Sequence, residues 1–251
     1  MAKLTTEQMW EQMLTGTYPR LHSMRRMWGA LPSPPRCKLC NAPFTGFGGA
    51  VMRVINYGPS PLNRRLCKWC IRALHKQPGG AEVDIAMLFA DVRGSTGIAE
   101  RLSPEEYSRL IARFYGTAAQ VIDDSDGIVD KFVGDEAVAL FIPSFSENEP
   151  AANAIAAARA LLEKAEVPLG VGVHAGKCFV GTVGEGDAFD FTALGDPVNA
   201  TARLTSIAAA GEVLISAEAA SRGGLDTADL EQRTLELRGR EQTIDAWVAA
   251  A

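Results

Sequence analysis

The sequence predicts an α+β chain in which a βαββαβ domain, with helices packed on an antiparallel sheet, follows a small cysteine-ligated metal module. Three observations carry this. Four of the five cysteines fall in two C-x-x-C turns near the N-terminus. From residue 84 onward, apolar runs of strand length alternate with helical repeats. Between the two regions "QPGGAE" breaks any regular element, so the expected boundaries are 1–80 for an N-terminal helix plus the cysteine module and 81–251 for the larger domain.

At 251 residues, with 47% hydrophobic and 22% charged residues, the chain has the balance of a globular protein able to build a core. A net charge of −5 and a pI near 5.3 argue against chain-wide affinity for nucleic acid or an anionic membrane. The local basic cluster Arg20, Arg25, Arg26, Arg36 and Lys38 reads as a solvated face. Glu7, Glu11, Arg20, Arg25 and Arg26 interrupt any secretory apolar core, and Arg159, Glu163 and Lys164 interrupt the alanine-rich stretch at 151–165. A cytoplasmic protein without membrane or nucleic-acid partners is expected.

The pairs "CKLC" (Cys37, Cys40) and "CKWC" (Cys67, Cys70), 26 residues apart, have metal-ligand spacing. Each turn presents two thiolates, and two turns complete a tetrahedral four-sulfur site for Zn²⁺. An iron–sulfur cluster uses the same ligands, whereas disulfides would need an oxidising compartment. The loop between the pairs is rich in glycine and proline, has little core of its own and is expected to depend on the metal. "IRALHK" can form a short helix after Cys70, and Cys178 reads as a core residue.

"DIAMLFADVRGST" is a buried strand over Ile85 to Ala90 that ends in Asp91 and a turn. "SPEEYSRLIARFYGTAAQVID" begins with Ser103 as N-cap, Pro104 at the first helical position and Glu106 closing a capping box. "GIVDKFV" and "EAVALFI" form a hairpin around Gly134 and Asp135; "AANAIAAARALLEKA" is a second helix and "LGVGVHAG" another strand. This order gives a ferredoxin-like layer, a four-stranded antiparallel sheet with both helices on one face. Its first strand neighbours the central hairpin, so Asp91 and Asp135 can meet at one edge.

Close carboxylates repel, and a divalent cation is the ordinary relief. Two such ions would suit phosphoryl chemistry, and backbone N–H groups of Gly94, Ser95 and Thr96, just before a helix, could take phosphate oxygens. In "FTALGDPVNATARL", Asp196 is expected to cap and Pro197 to start a helix with Asn199 and Arg203 four apart on one face. An amide and a guanidinium so placed could grip ribose and a pentavalent phosphate.

Together "FADVRGST", "DKFVGDEAV", "FTALGDPVNATARL" and a late "LRGREQTIDAWV" resemble the catalytic domain of class III adenylate and guanylate cyclases, from about Asp84 to Ala249. The resemblance implies that Asp91 and Asp135 bind two Mg²⁺ or Mn²⁺ ions and that Lys131 reads the base, lysine being the adenine-type choice. It implies further that Asn199 orients the ribose, Arg203 stabilises the transition state and Arg240 sits near the triphosphate. Thr192 stands where many adenylate cyclases have an aspartate, which weakens the base choice. ATP is the implied substrate, in a head-to-tail homodimer with shared sites. Other readings are cyclisation of GTP or a pyrimidine nucleotide, a nucleotide-binding protein without catalysis, and a diguanylate cyclase. The last shares a motif like "FVGDEA", but Val133 and Ala137 replace its first glycine and its phenylalanine.

Overall fold

The computed structural model describes residues 4–31, 35–60, 65–76, 78–146, 149–185, 188–236 and 243–250. Arg240 lies outside them. In chain order the elements are α1 (Thr6–Leu14), α2 (Pro19–Gly29), α3 (Gly46–Val54), α4 (Lys68–Lys76), β1 (Gly80–Val92), α5 (Ser95–Arg101), α6 (Pro104–Asp124), β2 (Ile128–Val133), β3 (Glu136–Phe141), α7 (Pro150–Lys164), β4 (Leu169–Glu185), β5 (Ala188–Leu194), α8 (Asp196–Ile207), β6 (Glu212–Ser216), α9 (Ala217–Arg222), β7 (Glu231–Leu235) and β8 (Ile244–Ala250). They form two compact units. One comprises Met1–Val83, Pro143–Asn148 and Phe179–Ala193; the other comprises Asp84–Ile142, Glu149–Cys178 and Leu194–Ala251.

In the first unit, α1 opens with a capping box between Thr5 and Gln8 and buries Trp10 and Leu14. The Trp10 ring stacks on Phe191 of β5 at 6.3 Å between centroids. The Ser144 N–H donates to the Leu14 carbonyl, and Arg25 donates to the Ser144 carbonyl. Arg36 likewise donates to the carbonyls of Trp28, Leu31 and Asn41. Two members of the basic cluster therefore tie the backbone together instead of forming a merely solvated face. The glycine-rich loop holds a helix, α3, and buries Met52. A Cβ at Gly49 would lie 2.4 Å from the Phe44 carbonyl, so the glycine permits a close backbone approach there.

The second unit has the predicted strand order at its centre. The sheet runs β2-β3-β1-β4-β6-β8-β7, with β5 paired to β4. The first four strands are the ferredoxin-like arrangement. Beyond these four strands the sheet continues, with β6 parallel to β4. Helix α8 lies in the connection between them, the kind of long crossover that parallel neighbours require. The capping box of α6, with Ser103 and Glu106, is present as expected.

Alternation along the strands divides the core into two faces. Ala86, Leu88, Val171, Val173, Val213 and Ile215 pack with α6, α7 and α9 in one cluster, whereas Leu214 packs with Ala200, Leu204 and Ala246 in another. Thus α6 and α7 share a face as predicted, and α8 covers the opposite one. The Thr205 hydroxyl on α8 donates to the Phe89 carbonyl of β1. Beneath it Gly172 lets the helix rest on β4: an added Cβ would meet Thr205 Oγ1 at 2.5 Å and Thr205 N at 2.6 Å. Gly172→Ala should therefore lower stability by about 1–3 kcal/mol, through displacement of α8. Chemical denaturation of wild type and variant checks this, with an unchanged midpoint counting against the close approach.

Candidate active site

The last residue pair in the β1–β3 ladder is Asp91 with Glu136. Asp135 precedes Glu136 in the β2–β3 turn, where Gly134 takes the left-handed conformation (φ 63°) that favours glycine. The Val92 N–H donates to the Asp135 carbonyl at 3.3 Å, fastening the turn to the end of β1. Sheet register thus brings Asp91 and Asp135 to one edge, as expected, and adds Glu136. Burial raises the Asp91 carboxyl above its ordinary range; Arg93 pulls it down and Asp135 pushes it up. Burial, followed by the charges of Asp91 and Asp135, raises Glu136 as well.

Arg93 offsets part of this crowding. Its Nη2 lies 3.0 Å from Asp91 Oδ2 and donates to the Thr205 carbonyl at 2.7 Å. One guanidinium therefore spans from the acid to the last turn of α8, where carbonyls lack helical partners. Gly170 leaves room for it, since a Cβ there would be 2.3 Å from Arg93 Nε. Three carboxylates against this arginine leave negative charge and hard oxygen donors at the edge. Hard oxygen donors of this kind suit a divalent ion such as Mg²⁺ or Mn²⁺, for which Asp91 and Asp135 are the predicted ligands.

The turn after Asp91 becomes helix α5 sooner than expected. Gly94 is its N-cap, with φ 69° and no side-chain cap bond, and Ser95 and Thr96 are its first residues. Their N–H groups belong to the first turn, which has no intrahelical acceptors. Tyr107 of α6 borders the same edge. Burial and the charges of Asp135 and Asp91 raise its phenol, while the Ser95 hydroxyl acts in the opposite direction.

Lys131 lies on β2 immediately after a register shift between Val129 and Lys131. Such a bulge re-aims side chains. Its Nζ is 3.5 Å from the buried Asp130 carboxylate. On α8, Gly195 is the N-cap, in place of the expected Asp196, which is the first helical residue. Pro197 follows within the first turn as predicted, and its fixed φ suits that position. Asn199 is exposed and Arg203 half-buried, one helical turn apart. Thr192 is buried on β5 and belongs to the first compact unit.

Glu136 had a sequence signal, since it adjoins Asp135 in "GDEA". Arg93 adjoins Asp91 in the chain, but its other partner, the Thr205 carbonyl, lies far away in sequence. The same holds for Tyr115 on α6, whose hydroxyl donates to the Gly134 carbonyl.

In the first unit the four predicted cysteines converge. Their sulfurs lie within 4.8 Å of one another and all are buried. Cys37 and Cys70 are 3.8 Å apart, Cys40 and Cys67 3.7 Å, so none is disulfide-bonded. A tetrahedral ion with bonds of about 2.3 Å has sulfur–sulfur edges of about 3.8 Å. The Cys67 N–H points at Cys37 Sγ and the Cys70 N–H at Cys67 Sγ, as partners of thiolate charge. Burial works against a Cys37 thiolate, but contacts from Cys40, Cys67 and Cys70 outweigh it and hold it low. Neighbouring sulfurs push Cys40 and Cys70 up. Four thiolates can coexist here only around a cation. Cys178 is buried elsewhere and pushed up to about 12 by burial, as befits a core thiol. No described helix is long and apolar enough to cross a membrane.

Comparison with known proteins agrees with this geometry. Residues 80–250 match the family described as the adenylate and guanylate cyclase catalytic domain. The uncharacterized protein Rv1318c of Mycobacterium tuberculosis is 33% identical over 180 residues, covering 66% of this chain and 32% of that protein. Rv1319c of the same organism is 32% identical over 179 residues, covering 66% and 33%. The chain therefore spans about a third of the length of these curated relatives. Among solved structures, the guanylyl cyclase Cya2 is 27% identical with a TM-score of 0.63, covering 68% of this chain and 93% of that one. The adenylyl cyclase CyaB from P. aeruginosa shares the fold at 23% identity and a TM-score of 0.62, covering 68% and 96%. The two neighbours differ in base, and the match of residues 80–250 to the family is common ground: the chain belongs to the adenylate and guanylate cyclase catalytic-domain family.

Proposed function

We propose that the protein is an adenylate cyclase that converts ATP to 3′,5′-cyclic AMP and pyrophosphate. The observation that carries this is the meeting of Asp91 and Asp135 at the sheet edge beside the start of α5. Divalent cations, when bound, supply charge that favours loss of the ribose 3′-hydroxyl proton and neutralises the leaving pyrophosphate. Asp91 and Asp135 would hold them. The bond formed joins the ribose 3′-oxygen to the α-phosphorus; the bond broken joins that phosphorus to the oxygen bridging to the β-phosphate. The hydroxyl proton leaves to solvent.

The remaining residues act by placement and charge. Asn199 orients the ribose for in-line attack, and Arg203 donates to the α-phosphate oxygens as charge builds there. The N–H groups of Gly94, Ser95 and Thr96 receive the phosphate tail, with Arg240 as a further cation for the triphosphate. Lys131 has donors only and suits adenine N1, an acceptor; guanine presents N–H donors on that edge. Thr192 can complete a contact to the adenine amine. In this reading two chains associate head to tail, with the acids of one protomer facing Lys131, Thr192, Asn199 and Arg203 of its partner. The four cysteines hold one Zn²⁺ that substitutes for core in their module, in a protein of the cytoplasm.

Incubation of purified protein with ATP, GTP, CTP and UTP and either metal should give 3′,5′-cyclic AMP as the favoured product. The lysine should favour ATP over GTP in kcat/KM by roughly ten- to a hundredfold, and Lys131→Glu should erode that margin. Equal or better wild-type efficiency with GTP or a pyrimidine nucleotide would overturn the adenine assignment.

Asp91→Ala and Asp135→Ala should each abolish turnover with the fold preserved. Mixing Asp135→Ala with Arg203→Ala protein should restore part of the activity, because one site of each mixed dimer is whole. Verified mixed dimers that stay inactive would count against a shared site.

Elemental analysis should find one zinc per chain. Chelation should expose the four thiols to labelling and unfold residues from about 30 to 75, as followed by hydrogen exchange. Iron in place of zinc, or no metal, would refute that assignment.

A further inference from the structure

The active-site turn at Gly134 is held from two sides, and one holder lies outside every motif that identifies the family. Gly134 is exposed, left-handed and has nothing within 4 Å of the place where a Cβ would stand. Glycine in an open turn has wide backbone freedom, and Asp135 is aimed by that backbone. From the β1 side the restraint is the 3.3 Å bond from Val92 N–H to the Asp135 carbonyl. From the α6 side it is the bond from the Tyr115 hydroxyl to the preceding carbonyl, that of Gly134.

Tyr115 is itself well fixed. Its ring stacks on Phe132 of β2, with centroids 4.0 Å apart and planes 14° from parallel. Phe114 meets it at 6.0 Å and 56°. The supporting helix is 21 residues long, carries its capping box and buries Phe114, Ala118, Val121 and Ile122 in the core. A hydroxyl on such a support loses little entropy when it holds a neighbouring carbonyl. Holding an acid through a locked second residue is how a site keeps its productive geometry.

We propose that Tyr115 is a positioning residue for Asp135: its hydrogen bond to the Gly134 carbonyl fixes the turn so that the Asp135 carboxylate stands ready beside Asp91 for a divalent cation. The proposal rests on the reading of Asp91 and Asp135 as the metal acids. Phenylalanine at 115 would keep the ring and its stack and leave the turn tied on one side only.

Tyr115→Phe, which changes no charge, is the test. Mn²⁺ binding in the presence of a non-hydrolysable ATP analogue is followed by the electron paramagnetic resonance of free Mn²⁺. Hydrogen exchange of the 134–136 amides and the thermal midpoint are measured alongside. Loss of one hydrogen bond should weaken Mn²⁺ binding roughly three- to tenfold. Exchange at the turn should speed up, the midpoint should change little, and kcat should recover at saturating Mn²⁺. A merely structural role would shift the midpoint and leave metal affinity alone. Phe132→Leu, which keeps the hydroxyl but loosens the stack, should move Mn²⁺ affinity the same way by a smaller factor, which covers poor folding of Tyr115→Phe. Unchanged Mn²⁺ affinity and turn exchange in Tyr115→Phe, with binding lost in Asp135→Ala, overturns the positioning role alone. Mn²⁺ binding that survives Asp135→Ala overturns the metal reading, and this inference with it.

Discussion

Like charges gathered at the end of a β-ladder are the constraint around which the larger unit is arranged. Asp91 and Glu136 face each other in register, and Asp135 adjoins them in the turn. Burial and mutual repulsion both oppose ionisation there. Such a cluster persists only if its backbone is held and its charge is answered. The antiparallel pairing of β1 with β3 supplies the hold, and Arg93 gives part of the answer from within the protein. The remaining negative charge is what the proposed divalent cations would answer.

Arg93 also ties the end of β1 to helix α8. It touches Asp91 at one end and the Thr205 carbonyl, in the last turn of α8, at the other. Helix α8 carries Asn199 and Arg203, and it reaches this position because Gly172 and Gly170 on β4 lack side chains. Two glycines on one strand thus have separate duties: one lets a helix approach, the other makes room for a guanidinium.

The cysteine module solves a different problem with the same electrostatics. Among the described residues between its cysteine pairs there is one short helix, with glycines in its first turn, and the buried apolar side chains there are few: Ala42, Phe44, Met52 and Leu66. Four buried sulfurs at van der Waals distance hold it about one point. Crowding opposes ionisation at Cys40 and Cys70 as it does at Asp91 and Glu136, and a cation would relieve either cluster. Soft thiolates favour one class of metal and hard carboxylates another, so the two clusters would not compete for the same ion.

Much of this was legible before any coordinates. Period-two and helical repeats, Ser103 with Glu106, and Pro197 made the order β1, α6, β2, β3, α7, β4 and then α8 legible, because those signals act over a few residues. The four cysteines were legible from the local spacing of each C-x-x-C turn, and the two acids from the strand order that puts the first strand beside the central hairpin. The parallel pairing of β6, the extra face covered by α8, the grouping of 143–148 and 179–193 with the N-terminal segment, and the helix inside the glycine-rich loop were not. Each depends on which distant surfaces meet. The same is true of Arg93 and Tyr115, which read as ordinary polar residues in the chain. What the sequence by itself determined is the set of chemical groups and the local elements that carry them. Only the tertiary structure decided that the guanidinium beside Asp91 also reaches the Thr205 carbonyl and that a phenol holds the turn of Asp135, because strand register and backbone approach, set by residues scores of positions apart, put those atoms within hydrogen-bonding reach.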